Sequence, residues 1–275
     1  MLLDQLSTLS HPQRMRVFRL LMRRYPQAVA AGDLAAVLGF KPSTTSVYLS
    51  ALHGAGLISQ ARHGTSLRYA VDMDGAREMV RQLFVECCNG RPDLCPPWDD
   101  TLAIRSAAMS DTKHNILFIC TGNSARSIFA EAIMRDAAGD RFNVYSAGTK
   151  PQSELNPFAV EMLEQKGLDV SVLRAKNVAE FQGDAAPVMD FVFTVCDHAA
   201  NEDCPAWPGQ PISAHWGLPD PVKATGTDAE KRLAFQQTFG AMRNRIVAFT
   251  ALPMDTLSRT SLQHEVDAIG QTKDH

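Results

Sequence analysis

The segment Ile116-Leu-Phe-Ile-Cys-Thr-Gly-Asn-Ser-Ala-Arg-Ser127 constrains this chain more than any other. Its apolar run has the length and composition of a strand, and it enters a loop of small polar residues. A helical run, Ile128-Phe-Ala-Glu-Ala-Ile-Met134, follows at once and is expected to be amphipathic. Strand, tight loop and helix in that order turn the loop N–H groups and the helix N-terminus toward one point, which suits a tetrahedral oxyanion. The candidate anion-binding positions are Thr121, Gly122, Asn123, Ser124, Ala125, Arg126 and Ser127. Cys120, at the loop entrance, is the candidate nucleophile. The field of the loop is expected to lower its pKa and populate the thiolate at neutral pH. Arg126, at the exit, can hold two anion oxygens in its planar fork. Ser127 is placed to hydrogen-bond the thiolate, and a helix N-cap role is equally compatible. The plain alternative is a buried structural cysteine with an unrelated arginine.

From 114 onward, strand and helix signals alternate. Strands are expected at Asn115–Cys120, Phe142–Ser146, Met189–Val195 and Pro211–His215, and helices at Ala125–Ala138, Asn156–Lys166 and Asp228–Ala251. Such alternation implies a central parallel sheet covered on both faces, with ligands at the carboxyl ends of its strands. Cys120 ends one strand and Cys196 follows another, so the two thiols can meet on one rim. Cys204 lies further along the same segment, Cys196-Asp-His-Ala-Ala-Asn-Glu-Asp-Cys204. Asp220, in an Asp-Pro loop, is a candidate general acid for a leaving oxygen.

The first hundred residues read differently. Helices are expected at Leu6–Leu9, Arg14–Met22, Gly32–Leu38 and Lys41–Leu52. A strand pair turning at His63-Gly64 follows, then a closing helix from about Asp74 to Val85. Helix, turn, helix and β-wing make a winged helix-turn-helix. The helix opening Ser43-Thr-Thr-Ser46 is the candidate DNA reader, with Ser43, Thr44, Thr45 and Tyr48 as exposed contacts. Arg62 and Arg68 flank the wing tip, where phosphates are met. A helical interaction domain with a polar surface is the bland alternative. This part carries 11 Lys+Arg against 9 Asp+Glu and the remainder 16 against 21, a split too small to decide the matter.

The fold class is therefore two domains, a mainly α winged helix-turn-helix followed by α/β with a central parallel sheet. The expected bounds are 1–95, a linker at 96–113, a second domain at 114–254 and a loosely attached tail at 255–275. No apolar run approaches membrane-spanning length and the first residues lack a secretory pattern, so a cytoplasmic protein with reduced cysteines is expected. Three of the six cysteines, in Cys87-Cys88-Asn-Gly-Arg-Pro-Asp-Leu-Cys95, can converge as a trigonal thiolate site for As(III) or Sb(III).

The element order of residues 1–95, best carried by Ser10-His-Pro-Gln-Arg-Met-Arg-Val-Phe18 and Leu49-Ser-Ala-Leu-His-Gly-Ala-Gly-Leu57, resembles the ArsR/SmtB family of dimeric metal-responsive repressors. That resemblance implies operator DNA and a homodimer through this domain. Tyr48 stands where many members have His. The Cys120 loop, Ser146-Ala-Gly-Thr149 and Asp220-Pro221 together resemble low-molecular-weight protein tyrosine phosphatases. They look still more like the arsenate reductases on that fold. Val222 replaces the aromatics that phosphatases place after the Asp-Pro pair, and Cys196 and Cys204 serve only a reductase. The resemblance implies that Cys120 attacks arsenate, Cys196 and Cys204 relay a disulfide, and a thioredoxin-like dithiol donor resets it, with no organic cofactor. Asn123, Glu131 and Ser146 match positions that hold K+ in some reductases, and each also has an ordinary structural role. Two other readings stay open: a phosphatase fused to a DNA-binding domain, and a transcription factor whose second domain only senses an oxyanion.

Overall fold

The computed structural model describes residues 1–87, 113–183, 185–202, 207 and 210–272, the side chains of Val85 and Glu86 aside. Its first unit, Met1–Asp99, begins with α1 (Leu2–Leu9) and α2 (Pro12–Arg24). Pro12 stands where a helix needs no N–H, and His11 Nδ1 caps the end by accepting from Gln13 N–H at 3.2 Å. A two-residue strand, β1 (Val29–Ala30), leads into α3 (Ala31–Leu38), which stops at Gly39 with φ +69°. Then come α4 (Pro42–Gly54), β2 (Ile58–His63), β3 (Ser66–Val71) and α5 (Met73–Gln82). The Asp72 side chain caps α5 from Gly75 N–H, and a π-helical turn, Leu83–Cys87, prolongs it. The sheet order is β1-β3-β2, all antiparallel. β1 was not expected, because two residues carry no periodicity. Leu20, Leu21, Leu34, Leu49 and Leu52 close the core of this unit.

The second unit, Asp100–His275, is the alternating one. Its strands are β4 (His114–Cys120), β5 (Phe142–Gly148), β6 (Phe191–Thr194) and β7 (Ile212–His215). Its helices are α6 (Arg126–Ala138), α7 (Pro157–Gln165), the short α8 (Asp197–Asn201), α9 (Asp228–Thr250) and α10 (Arg259–Gly270). Strand order is β5-β4-β6-β7, and all three pairings are parallel. Consecutive β4 and β5 are neighbours, after which the chain crosses back to the other side of β4. The order therefore reverses between β4 and β6, and their carboxyl ends frame the crevice where such sheets bind ligands. Those ends are Cys120 and the residues just before Cys196.

Two expectations change. The α6 helix is not amphipathic over its first turns: every residue from Ser127 to Met134 is buried, and only Arg135, Asp136 and Ala137 face water. A helix hydrophobic on all sides is a core helix, and this one is wrapped by the sheet and by α9 and α7. The expected loose tail is also not loose. In α10, Leu262 and Val266 are fully buried in the main core, and the Trp216 indole N–H donates to the Val266 carbonyl at 2.9 Å. On the outer side of β7 the Gln263 amide lies along Ser213, accepting from its N–H at 3.4 Å and donating to its carbonyl at 2.7 Å. The expected linker, 96–113, lies outside the described residues except for Lys113.

Candidate functional site

The loop after β4 gets its shape from the segment that follows β5. Thr149, Lys150, Gln152 and Asn156 each donate a backbone N–H to a loop carbonyl, those of Cys120, Thr121, Gly122 and Ser124 in turn, at 2.9–3.1 Å. A planar trans peptide points its N–H opposite to its C=O. The N–H groups of Gly122, Asn123 and Ala125 therefore face away from that segment. That of Asn123 reaches Cys120 Sγ at 3.0 Å. The turn needs a left-handed residue, and Asn123 supplies it at φ +44°, a region asparagine tolerates better than most. Gly148 lets the two segments approach: a Cβ there would lie 2.6 Å from the Thr121 carbonyl oxygen and 3.1 Å from Asn123 N.

Cys120 is buried, with Ser127 Oγ 2.9 Å from its sulfur. Ser127 sits inside α6 rather than at its cap, which is Ala125 with no side-chain cap bond. The expected lowering of the Cys120 pKa is not what the surroundings produce. Burial pushes the thiol up, and the nearby Cys196 sulfur adds to the rise. Ser127, the Asn123 N–H and Arg126 pull the other way without overcoming it. The Arg126 guanidinium is itself held by two partners. Nη2 pairs with Asp220 Oδ2 at 2.8 Å and Nη1 donates to the Leu218 carbonyl at 3.0 Å. Asp220 also caps a 3-10 turn, Pro221–Lys223, accepting from Val222 N–H at 3.3 Å.

Cys196 ends the neighbouring β6 rim, buried, with Thr121 Oγ1 3.4 Å from its sulfur. Thr121 thus touches the second thiol from within the first thiol's loop. Beside Cys196, Asp197 Oδ1 lies 3.0 Å from His215 Nε2, and His215 Nδ1 lies 2.9 Å from Thr194 Oγ1. Cys204 lies outside the described residues. A cleft of about 500 Å³ opens over the loop, lined by Cys120, Thr121, Gly122, Ser124, Ala125, Arg126, Gln152, Asp220 and Val222 among others. Among its described lining residues there is no aromatic ring, and Val222 is half exposed at its mouth.

Asn123, Glu131 and Ser146 come together behind this loop. Asn123 Nδ2 donates to Ser146 Oγ at 2.8 Å and to Ser127 Oγ at 2.9 Å, and Ser146 Oγ donates to Glu131 Oε2 at 2.5 Å. A residue that the sequence reading missed completes the group: Lys176, buried, donates its backbone N–H to Asn123 Oδ1 and its ammonium to Glu131. It lies in Leu173-Arg-Ala-Lys-Asn177, between regular elements, where no periodicity marks a lysine as inward-facing.

In the first unit, α4 exposes Ser43, Ser46, Val47 and Ser50. Thr44 is half-buried, and two of the other expected readers turn away. Thr45 is buried and its hydroxyl donates to the Lys41 carbonyl, and Tyr48 packs between His11 and Phe40. Helical geometry puts position 45 on the face with Leu49 and Leu52, so it must point into the core. Arg62 is exposed on the wing, but Arg68 folds back to donate to the Ala28 carbonyl at 3.3 Å. Cys87, the last residue of the π-helical turn, is exposed. Cys88 and Cys95 lie outside the described residues. Among the described residues no group of three metal-ligating side chains converges, and no helix is long and apolar enough to cross a membrane.

A parallel sheet with a cysteine loop at its switch point, an arginine at the loop exit and an Asp-Pro turn across the cleft defines a phosphatase-type α/β domain. Residues 115–265, more than half of the chain, match the low molecular weight phosphotyrosine protein phosphatase family, and the chain belongs to that family. Residues 11–60 match bacterial regulatory proteins of the arsR family. Curated relatives to which it is similar include arsenate reductases. That of Halalkalibacterium halodurans is 39% identical over 50% of this chain and 95% of its own length. That of Bacillus subtilis is 38% identical over 49% of this chain and 93% of its own length. Among solved structures, a thioredoxin-dependent arsenate reductase of Corynebacterium glutamicum aligns over 78% of this chain and 90% of its own, at 21% identity and a TM-score of 0.36.

Proposed function

We propose that the second unit reduces arsenate to arsenite and that the first unit is a DNA-binding regulator responding to the arsenite produced. One observation carries the reductase reading: a second buried thiol, Cys196, stands on the rim beside Cys120, joined to its loop through Thr121. Phosphoryl transfer needs only one thiol. The cleft also has no aromatic wall among its described residues to hold a phosphotyrosine ring.

In this scheme arsenate lies in the 121–126 loop against the inward N–H groups, with Arg126 on its oxygens. Cys120 attacks arsenic and displaces one oxygen as water. The Cys120 thiol, held protonated by burial, supplies the proton that the leaving oxygen requires, and Asp220 beside Arg126 passes it on. Cys196 then attacks the Cys120 sulfur. The S–S bond forms, the S–As bond breaks, and its electron pair stays on arsenic, which leaves as arsenite. Cys204 next attacks Cys196 and frees the Cys120 thiolate. A thioredoxin-class dithiol reduces the Cys196–Cys204 disulfide by exchange. No organic cofactor enters this sequence.

For the first unit, the exposed face of α4 reads DNA and Arg62 meets phosphate from the wing. No residue of α5 is buried in the single chain, which supports a homodimer formed through that helix. Cys87, Cys88 and Cys95 follow it and take As(III) or Sb(III) as a soft trigonal ligand. Ligand capture at the end of the dimer helix can shift the dimer only by the ligand's preference between its forms.

The test uses the full chain. Arsenate turnover with a dithiol donor is measured beside para-nitrophenyl phosphate hydrolysis. Donor-dependent arsenite release that disappears in Cys196→Ser supports the proposal. Phosphate-ester hydrolysis alone, unaffected by Cys196→Ser, rejects the reductase. On operator DNA, arsenite releases the wild type directly. Arsenate releases it only with the donor present. Release of a Cys120→Ser protein by arsenate as efficient as that of the wild type would sink the coupling.

A further inference from the structure

The positions matching a potassium site do not fit an added cation here. The Glu131 carboxylate, buried, already has cations of the chain on both oxygens. Lys176 Nζ lies 2.9 Å from Oε2 and Arg135 Nη2 lies 2.7 Å from Oε1. Lys176 Nζ also donates to the Arg174 carbonyl at 3.0 Å, and Ser146 fills the remaining approach to Oε2. A carboxylate and a carbonyl are the oxygen ligands a monovalent cation would seek, and an ammonium group holds them.

We propose that Lys176 is a positioning residue for Cys120, a built-in cation that fixes the Asn123 turn from both ends and makes the loop independent of added potassium. The proposal rests on Cys120 being the reacting thiol. At one end, the Lys176 backbone N–H donates to Asn123 Oδ1 at 2.7 Å. At the other, its ammonium holds Glu131, Glu131 orients the Ser146 hydroxyl, and Ser146 accepts from Asn123 Nδ2. Asn123 is the left-handed residue of the loop. Its N–H donates to Cys120 Sγ, and its side chain donates to Ser127, the other group on that sulfur. Removing the ammonium leaves a buried carboxylate with one partly exposed arginine, a state that buried charges avoid by protonating or moving. Either response turns the Ser146 hydroxyl and releases Asn123. The effect arrives at the sulfur as a weaker pair of hydrogen bonds, although Lys176 touches neither sulfur nor substrate.

The experiment follows iodoacetamide alkylation of the Cys120 peptide by mass spectrometry across pH, alongside arsenate turnover, in potassium chloride and in tetramethylammonium chloride of equal ionic strength. Wild type should behave alike in both salts. Lys176→Ala should alkylate about three-fold more slowly at pH 7 in tetramethylammonium, the net of a rise of about one pK unit and the greater nucleophilicity of the remaining thiolate. Potassium or ammonium, small enough for the space opened, should restore part of the rate. Lys176→Met, which fills that space without the charge, should be slow in both salts and carries the test if the alanine variant does not fold. A folded Lys176→Ala with the wild-type pH profile in both salts overturns the proposal, as does a wild type that needs potassium. A Lys176 effect on alkylation in a protein that turns over no arsenate in any salt upholds the positioning role and rejects the reductase instead.

Discussion

Ser127 gives the sharpest test of how the Cys120 sulfur is tuned. Its hydroxyl, 2.9 Å away, is the strongest of the influences that lower the thiol's pKa against its burial. Ser127→Ala removes that bond while Asn123 Nδ2 keeps Ser146. A hydrogen bond to a charged group contributes about 1.5–3 kcal/mol, or roughly 1–2 pK units. The thiolate population at pH 7 falls by that factor, but the remaining thiolate is more basic and more nucleophilic, with a Brønsted slope of about 0.4–0.5. The net alkylation rate of Cys120 at neutral pH should drop about 3- to 15-fold. Above both pKa values the order reverses, and the variant should react about 3- to 10-fold faster. The two pH–rate curves must cross. The assay is iodoacetamide alkylation read on the Cys120 peptide, and it needs no arsenate. Parallel curves, slower at every pH, would mean that Ser127 shapes access and not basicity, and the account of the site would be wrong.

Other outcomes follow from named contacts. Gly148→Ala drives a Cβ onto the Thr121 carbonyl, so the loop must move, and arsenate turnover should fall by about a hundred-fold with the fold intact by circular dichroism. Leu262→Ala, in the fully buried face of α10, should cost about 2–5 kcal/mol in urea unfolding, whereas a loose tail would show no change. Burial raises Asp267 to about 6. The native state thus binds its proton more tightly than the unfolded chain, and stability is lost as pH rises from the unfolded value toward and through about 6. Asp267→Asn should raise Tm at pH 7.5, by about 2–4 °C per kcal/mol regained, and not at pH 3.5. Arg62→Ala should weaken DNA binding evenly across sequences and flatten its salt dependence, while Arg68→Ala should act on stability through the lost Ala28 contact.

What the sequence disclosed was what its local order encodes. The loop from Cys120 to Arg126 declares itself because strand, turn and helix are contiguous, and its partner Cys196 follows from the same rule at the next rim. Asp220 was readable from its Asp-Pro setting, though its pairing with Arg126 was not. The sign of the Cys120 shift was misjudged because spacing shows donors and a guanidinium but not the depth at which the sulfur lies. Thr45 and Arg68 looked exposed because a short polar helix and a wing carry few apolar markers, and the face each residue takes is set by what packs beneath it. Lys176 was invisible for a similar reason, since its partners are 45 and 53 positions away. The last helix, whose periodicity is weak in the sequence, reads as a loose tail because its three buried residues are spaced among polar ones.

Gln263 has a consequence for colloidal behaviour. β7 is the outermost strand of its sheet, and an outer strand offers unpaired N–H and C=O groups to any other chain. A side-chain amide sets an N–H and a C=O in one plane, as a peptide group does, and the second N–H of Gln263 goes to Asp267. Laid against Ser213 it occupies that residue's N–H and C=O, so an incoming strand finds no register there. The helix that carries it also lies beside β7. A chain cut before Arg259 would therefore bare a template for intermolecular strand addition, and should polymerise edge to edge at concentrations where the intact protein stays dispersed.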